Sequence, residues 1–569
     1  MGLLLNRIRY ALRLMGGKER GILLILSLLL FIGFVGTANL INQRFSVIVP
    51  DEGGTIKEGV LGQPHFPNPL LAIADTDRDI VNLVYGGLMK PDGKGNLIPE
   101  LAERYEISSD GLSYTFFLQK NAKFHDGKKI TADDIIFTIE SAKNPAIKSP
   151  YRAGWEGVGV EKIDENTVRF WLKKPYAPFL ENTTIGILPK HLWKDITPEQ
   201  ISLSGLTIKP IGSGPYKISS ISRNGSVIKK YNLNSFSGYV SEKSYINKII
   251  FIFYPSEVEM ISAYERGEIN AISAVSPQNL QKIKRKDGIV KGLNLPRVFG
   301  LFFNPNEQNI FTEKIVRQAL EMSADKKKII KEVLGGYAKE ISSPIPEGSF
   351  GALTNNDSIY DPVGAKALLE KNGWKFNNGS KTYEKAAKGQ PTKELSFSIS
   401  TSNAPDLVRT ADILKKGWEN IGVKVEIRVF ENEDLKQNVI RTRKYDSLLY
   451  GEIVGRDPDP FAYWHSSQRN DPGLNLALYT SSKVDKILED ARSIVSREDR
   501  AQKYADFQKE IAADSPSIFL YSPDFIYVIP KSLKGFENIN IVTPAERFSS
   551  VNKWYFDTRY VWKVLYKKS

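Results

Sequence analysis

Few residues in this chain have the type and spacing to do chemistry. Its four histidines, His65, His125, His191 and His465, are scattered, so no two share a helix face or a turn as metal-binding histidines must. His125 lies in a Phe124-His125-Asp126-Gly127 turn, where a structural role is expected. Cysteine is absent, which removes disulfides, thiolate ligands, cysteine nucleophiles and the lipid-attachment residue of a bacterial lipoprotein. Neither a G-x-S-x-G elbow nor an H-E-x-x-H zinc motif occurs, and nothing else supports a hydrolase. Asp133 and Asp134 have the adjacency of an acid–base pair, but they follow Thr131 at the start of an amphipathic run, where carboxylates complement the positive end of a helix. Gly212-Ser213-Gly214 could wrap a phosphate, yet no Lys-Ser or Lys-Thr pair follows. The Asp457-Pro458-Asp459-Pro460 run suits a rigid loop. No metal and no cofactor are expected, and binding is favoured over catalysis.

The elements that would hold a binding site are better marked. Apolar residues make up 41% and charged residues 25% of 569, an ordinary globular composition with room for three to four average domains. The net charge of +13 comes from Lys and Arg dispersed among acids. A nucleic-acid footprint would be clustered, so a solvated basic surface is expected and no nucleic-acid partner. The exception is residues 1–20, where Arg7, Arg9, Arg13, Lys18 and Arg20 face one acid, Glu19. Residues 21–41 follow without a charge, enough helix to cross a ~30 Å hydrocarbon layer. The preceding cations place residues 1–20 in the cytoplasm and the remainder outside. A signal peptide cut after Ala38 would export the same chain, but the apolar run is span-length, which favours an uncleaved signal anchor.

Downstream, hairpins are expected over 105–119 and 160–172, separated by a helix over 131–141 capped by Thr131. A helical turn is expected over 99–104. Strands at 249–254, 297–304, 395–401, 423–430 and 445–454 alternate with helices at 257–267, 313–323, 326–334, 362–372, 406–421, 482–493 and 497–513. Two short strands are expected at 517–521 and 526–530. This alternation predicts α/β layers.

The order of motifs resembles the peptide- and nickel-type solute-binding proteins of ABC importers. The resemblance is carried by Pro99-Glu100-Leu101-Ala102-Glu103, Ser109-Asp110-Gly111, Tyr114-Thr115-Phe116, Lys123-Phe124-His125-Asp126-Gly127 and Thr131-Ala132-Asp133-Asp134. Residues 210–216, Gly267-Glu268-Ile269-Asn270, Val316-Arg317-Gln318-Ala319-Leu320, Tyr360-Asp361-Pro362, Gly373-Trp374, Ile421-Gly422-Val423 and Asp457-Pro458-Asp459-Pro460 continue it. It covers nearly all of residues 55–540.

The resemblance implies a two-lobed periplasmic-binding-protein-like α/β fold with hinge strands and an extra domain inserted in lobe one. Mapped here, lobe one takes 45–90, 190–295 and 530–569, the inserted domain 90–190 and lobe two 296–529. Hinges are expected near 295–301 and 521–529. It also implies a monomer, attached to the cytoplasmic membrane through 21–41, that closes on short peptides and delivers them to ABC permease subunits. Other solutes (a nickel chelate, an oligosaccharide, an opine-like compound) and a tethered sensor without a transporter are the competing readings. Gly62 and Gln63 in lobe one, and Tyr450, Gly451, Glu452 and Ile453 in lobe two, fall at the implied cleft. Peptide binders of this family place an aspartate for the peptide α-ammonium where Ile453 or Val454 stands, so Glu452 is the nearest acid that could replace it. Tryptophans are core residues by default; Trp464, after the Asp-Pro-Asp-Pro loop, is the best cleft candidate among them.

Overall fold

The uncharged run folds into one long helix. The computed structural model describes residue 10 and residues 14–353, 359–386 and 391–563, with backbone alone at 38–43. Helix α1 (Gly17–Phe45) is 29 residues long, or ~44 Å at the α-helical rise. Its apolar side chains from Ile22 to Val35 are exposed. Strand β1 (Ser46–Pro50) follows with no intervening residue.

The chain divides into two compact units. Residues 54–554 form one, while α1 and β1 group with the C-terminal segment from Tyr555. The lobe expected to begin at 45 and run to 569 therefore lacks both of its outer segments. The physical reason is that β1 pairs with the C-terminal strand rather than with the large sheet.

Within the large unit, strand β2 (Thr55–Leu61) is followed by helix α2 (Asp75–Val84). A separate antiparallel sheet then forms from β3 (Ala102–Ile107), β4 (Ser113–Leu118), β5 (Gly159–Asp164) and β6 (Thr167–Trp171), in the order β3-β4-β6-β5. Helix α3 (Ala132–Lys143) lies between its hairpins in sequence. Its start is a capping box, with the Thr131 N–H and Oγ1 both donating to Asp134 Oδ2 at 2.9 and 3.0 Å. The helical turn expected over 99–104 is absent, because Ala102 and Arg104 pair across to Leu118 and Phe117.

Eleven further strands are β7 (Tyr216–Asn224), β8 (Val227–Ser235), β9 (Lys248–Tyr254), β10 (Ala271–Ser273), β11 (Gly288–Asn294), β12 (Arg297–Phe303), β13 (Ala338–Glu340), β14 (Ser396–Ser402), β15 (Lys424–Phe430), β16 (Ser447–Ile453) and β17 (Ser517–Pro530). They join β2 in one twelve-stranded sheet, ordered β15-β14-β16-β12-β17-β10-β2-β9-β8-β7, with β11 and β13 also on β17. Helices α4 (Glu257–Glu265), α5 (Pro405–Glu419), α6 (Ser482–Ser493) and α7 (Arg497–Asp514) are among those between the strands. Two-residue alternation sends Leu301, Phe303 and Leu449 into a core with Trp374 and Trp418. Val298, Phe302 and Leu448 enter a second core with Trp464, Phe507 and Phe519.

The two short strands expected at 517–521 and 526–530 are one 14-residue strand. Its first part pairs with β12 as far as Tyr521, and its second with β11 from Asp524. Pro523, the residue that suggests a break, sits where the strand exchanges these partners, so its missing N–H costs neither ladder a bond. Strand β17 thereby runs through both halves of the sheet. Strand β18 (Thr558–Trp562) closes the described chain and pairs antiparallel with β1.

Candidate functional site

Two strands outrun one of their neighbours. Strand β16 pairs with β12 along its full length, from Ser447↔Phe303 to Ile453↔Arg297. On its other side β14 reaches only Ser447 and Leu448. The Leu449 carbonyl accepts from Thr401 Oγ1 at 3.0 Å on that side, and the Ile453 carbonyl accepts from Tyr463 Oη at 2.9 Å. Backbone groups alternate along a strand, so the Gly451 peptide between them faces the same open edge. A Cβ at Gly451 would lie 2.6 Å from the Phe299 ring, and that ring is stacked on Tyr521 at 5.0 Å. Glycine is what allows the ring to cover this edge residue.

Strand β2 ends similarly. It pairs with β9 through Leu61, whereas β10 stops at Gly59. Gly62 then turns the chain at a φ of +90°, a region costly to residues with a Cβ. The next loop is tied to α2: Thr76 Oγ1 donates to the Gln63 carbonyl at 3.0 Å, and Asp77 Oδ1 accepts the His65 and Phe66 N–H groups at 2.7 and 3.0 Å. Burial raises the Asp77 pKa, and these two bonds oppose the rise. Beneath the strand, Arg547 is fully buried and bridges Glu58 of β2 to Asp79 of α2, with four contacts between 2.6 and 3.1 Å. Tyr527 of β17 also donates to Glu58 at 2.8 Å. Desolvation lifts the Asp79 pKa to about 6 despite its arginine.

Arg297 opens β12. It opposes Ile453 in register, and its charge is influenced by Asp75 and Arg78 at the start of α2. Burial lowers its pKa, Asp75 opposes that and Arg78 reinforces it, while its Nε has no hydrogen-bond partner. Gly62 and Gln63 follow the carboxyl end of β2, which pairs parallel with β9 and β10, and open α/β sheets bind ligands at such strand ends.

The other expected site residues are placed differently. Glu452 is 6% exposed and walls a cavity of about 20 Å³ with Pro344, Ile345, Tyr463 and Trp464. Its Oε1 has no partner, and burial raises its pKa well above the carboxylate range. Ile453 is 55% exposed at the strand end, and Tyr450 is half-buried. Trp464, only 2% exposed, packs against Phe507 and Phe519 in the core, a position that does not support the ligand role expected of it. Both carboxylates of the Asp-Pro-Asp-Pro loop are taken, Asp457 by Arg500 and Asp459 by Arg492.

Residues not singled out from sequence complete the site. Arg456, 4% exposed, donates Nη1 to Glu181 at 2.8 Å and Nη2 to Glu546 at 2.6 Å. These contacts join the loop after β16 to two segments distant in sequence, around Glu181 and Glu546. The Glu181 pKa is raised to about 7, by desolvation first and by Glu546 and Asp457 as like charges, with Arg456 opposing. The signal available in sequence was a lone cation in a glycine- and proline-rich loop. For Arg297 it was a cation heading an otherwise apolar strand.

Comparison with known proteins agrees with this architecture. A family model described as bacterial extracellular solute-binding proteins, family 5, matches residues 96–473. The oligopeptide-binding protein AppA of Bacillus subtilis is 29% identical over 517 residues, covering 89% of this chain and 92% of that protein. Its structure in complex with a nonapeptide superposes with a TM-score of 0.67 at 27% identity, covering 90% of this chain and 100% of the other. NikZ from Campylobacter jejuni, solved with Ni(L-His), gives 0.69 at 30% identity over 88% of this chain and 99% of the other. The two-lobed binding-protein fold, the open strand ends and the matched family model together make this chain a member of the bacterial extracellular solute-binding proteins, family 5.

Proposed function

We propose that this protein is the membrane-held receptor of an ABC importer, capturing short peptides between its lobes and delivering them to a permease. The observation that carries the peptide reading is the open edge of β16. A strand edge with unused main-chain groups recognises the recurring backbone of an extended peptide and tolerates many side chains. Gly62 and Gln63 would contact the ligand from lobe one, and Tyr450, Gly451 and Ile453 from lobe two. Contacts from both lobes favour a closed state, with flexure along β17 and Arg456 as a latch. Helix α1 would hold the domain outside the cytoplasmic membrane, since its uncharged run spans the hydrocarbon layer and cations precede it. Binding without catalysis is in keeping with the family.

The test is mass spectrometry of solutes released from the purified full-length protein. Mixed short peptides sharing no side-chain pattern are expected. A single defined non-peptide compound would overturn the peptide reading.

A further inference from the structure

The C-terminal strand forms a second feature at the end of the membrane helix. Strand β1 starts at the residue after α1, and β18 pairs with it in the register Ser46↔Trp562, Ile48↔Tyr560 and Pro50↔Thr558. The chain is also hooked to the helix end: the Lys563 N–H donates to the Phe45 carbonyl at 2.7 Å, and Lys563 Nζ donates to the Arg44 carbonyl at 2.9 Å. These bonds cap carbonyls that a helix C-terminus leaves open.

One face of the ribbon carries its large, exposed apolar side chains. Opposed residues of an antiparallel pair share a face, and alternate pairs share the same one, so Ile48, Tyr560 and Trp562 lie together. They are 62%, 56% and 51% exposed, and neighbouring Phe45 is 53% exposed. The opposite face carries Val47, Val49 and Val561, all half-buried, and Arg559, which lies 3.6 Å from Asp51. A two-stranded ribbon is marginally stable in water and needs its apolar face covered.

We propose that this face lies in the headgroup layer of the same bilayer that α1 crosses. The inference rests on α1 being a membrane span. The apolar run ends at Ile41, and Phe45 follows about 6 Å further along the helix, within the interfacial layer flanking the hydrocarbon core. Continuity with the span supplies the occupant of the face. Tyrosine and tryptophan favour that layer, and Arg44 and Lys563 bring cations towards lipid phosphates. The two chain segments that flank the binding domain are then fixed at the bilayer surface, so it is tethered through two strands, β1 and β18.

The absence of cysteine permits clean single-site spin labelling. Leu30→Cys, Tyr560→Cys, Trp562→Cys and Arg559→Cys variants of the full chain would be reconstituted in phosphatidylethanolamine–phosphatidylglycerol vesicles. Relaxation by oxygen, which enters lipid, would be compared with relaxation by a water-soluble nickel chelate. A several-fold higher oxygen-to-nickel ratio at 560 and 562 than at 559, with 30 deep in lipid, is the expected result. A lipid signal at 30 with water signals at 560 and 562 would overturn the ribbon inference and leave the anchor standing. A water signal at 30 would remove the anchor and the inference with it. Spin–spin broadening between copies at 560 or 562 would show that a second chain covers the face, which also overturns the proposal.

Discussion

Replacing Arg456 with methionine tests whether the lobes are latched. The substitution keeps the apolar stem and removes the cation that Glu181 and Glu546 share. Removing one partner of a fully buried ion pair costs about 3–5 kcal/mol. The two carboxylate side chains are 28% and 14% exposed, and Glu546 keeps a bond from the Val542 N–H at 2.9 Å. About half of that range, ~2 kcal/mol, is therefore the expected cost of the closed arrangement. Opening would hydrate both acids and relieve the cost, so it should appear in ligand binding. At 1.4 kcal/mol per tenfold, affinity should fall about 30-fold. Calorimetry with the peptides recovered from the protein measures this, and small-angle scattering should show a larger radius of gyration for the ligand-free variant. An unchanged dissociation constant, together with a loss of unfolding free energy, would refute the latch and leave Arg456 a structural bridge.

Other sites give sharper single answers. Gly451→Ala places a methyl 2.6 Å from the Phe299 ring; overpacking of this kind costs about 1–3 kcal/mol, and peptide affinity should drop while the fold, followed by circular dichroism, persists. Arg547→Met leaves Glu58 and Asp79 buried without a cation, so chemical denaturation should show a loss of about 3–5 kcal/mol, partly restored by adding Glu58→Gln. The Glu181 pKa of about 7 lies above the ordinary carboxylate value, so its contribution to the closed state is complete below that ordinary value and is lost as pH rises through about 7. Binding should be tighter at about pH 6 than at about pH 8, and Glu181→Gln should flatten the profile; a slope unchanged in the variant would assign the effect elsewhere. Burial raises the Glu452 pKa in the same sense, so Glu452→Gln should stabilise the protein increasingly as pH rises. A stability difference that is constant with pH would show that Glu452 does not titrate as a buried acid.

Sequence alone determined the local elements and the class of molecule. The uncharged run at 21–41 specified a span-length helix, and Thr131 specified the cap of α3. These are set by side chains within a turn or two of the effect. Motif order was enough to name the family, because it preserves which turn follows which strand. Tertiary structure decided what depends on partners distant in the chain. Pro523 reads as a break, yet β12 and β11 recruit both of its flanks into one strand. The outer segments at 46–50 and 558–562 pair with each other rather than joining the lobe. Glu452 and Trp464 read as cleft residues, but the alternation of β16 and the packing of the second core turn them inward. Arg547 binds Glu58 across 489 positions, and Arg456 reaches Glu181 across 275. Periodicity in a sequence shows which face of an element is apolar; burial and ion pairing are fixed only when distant elements meet.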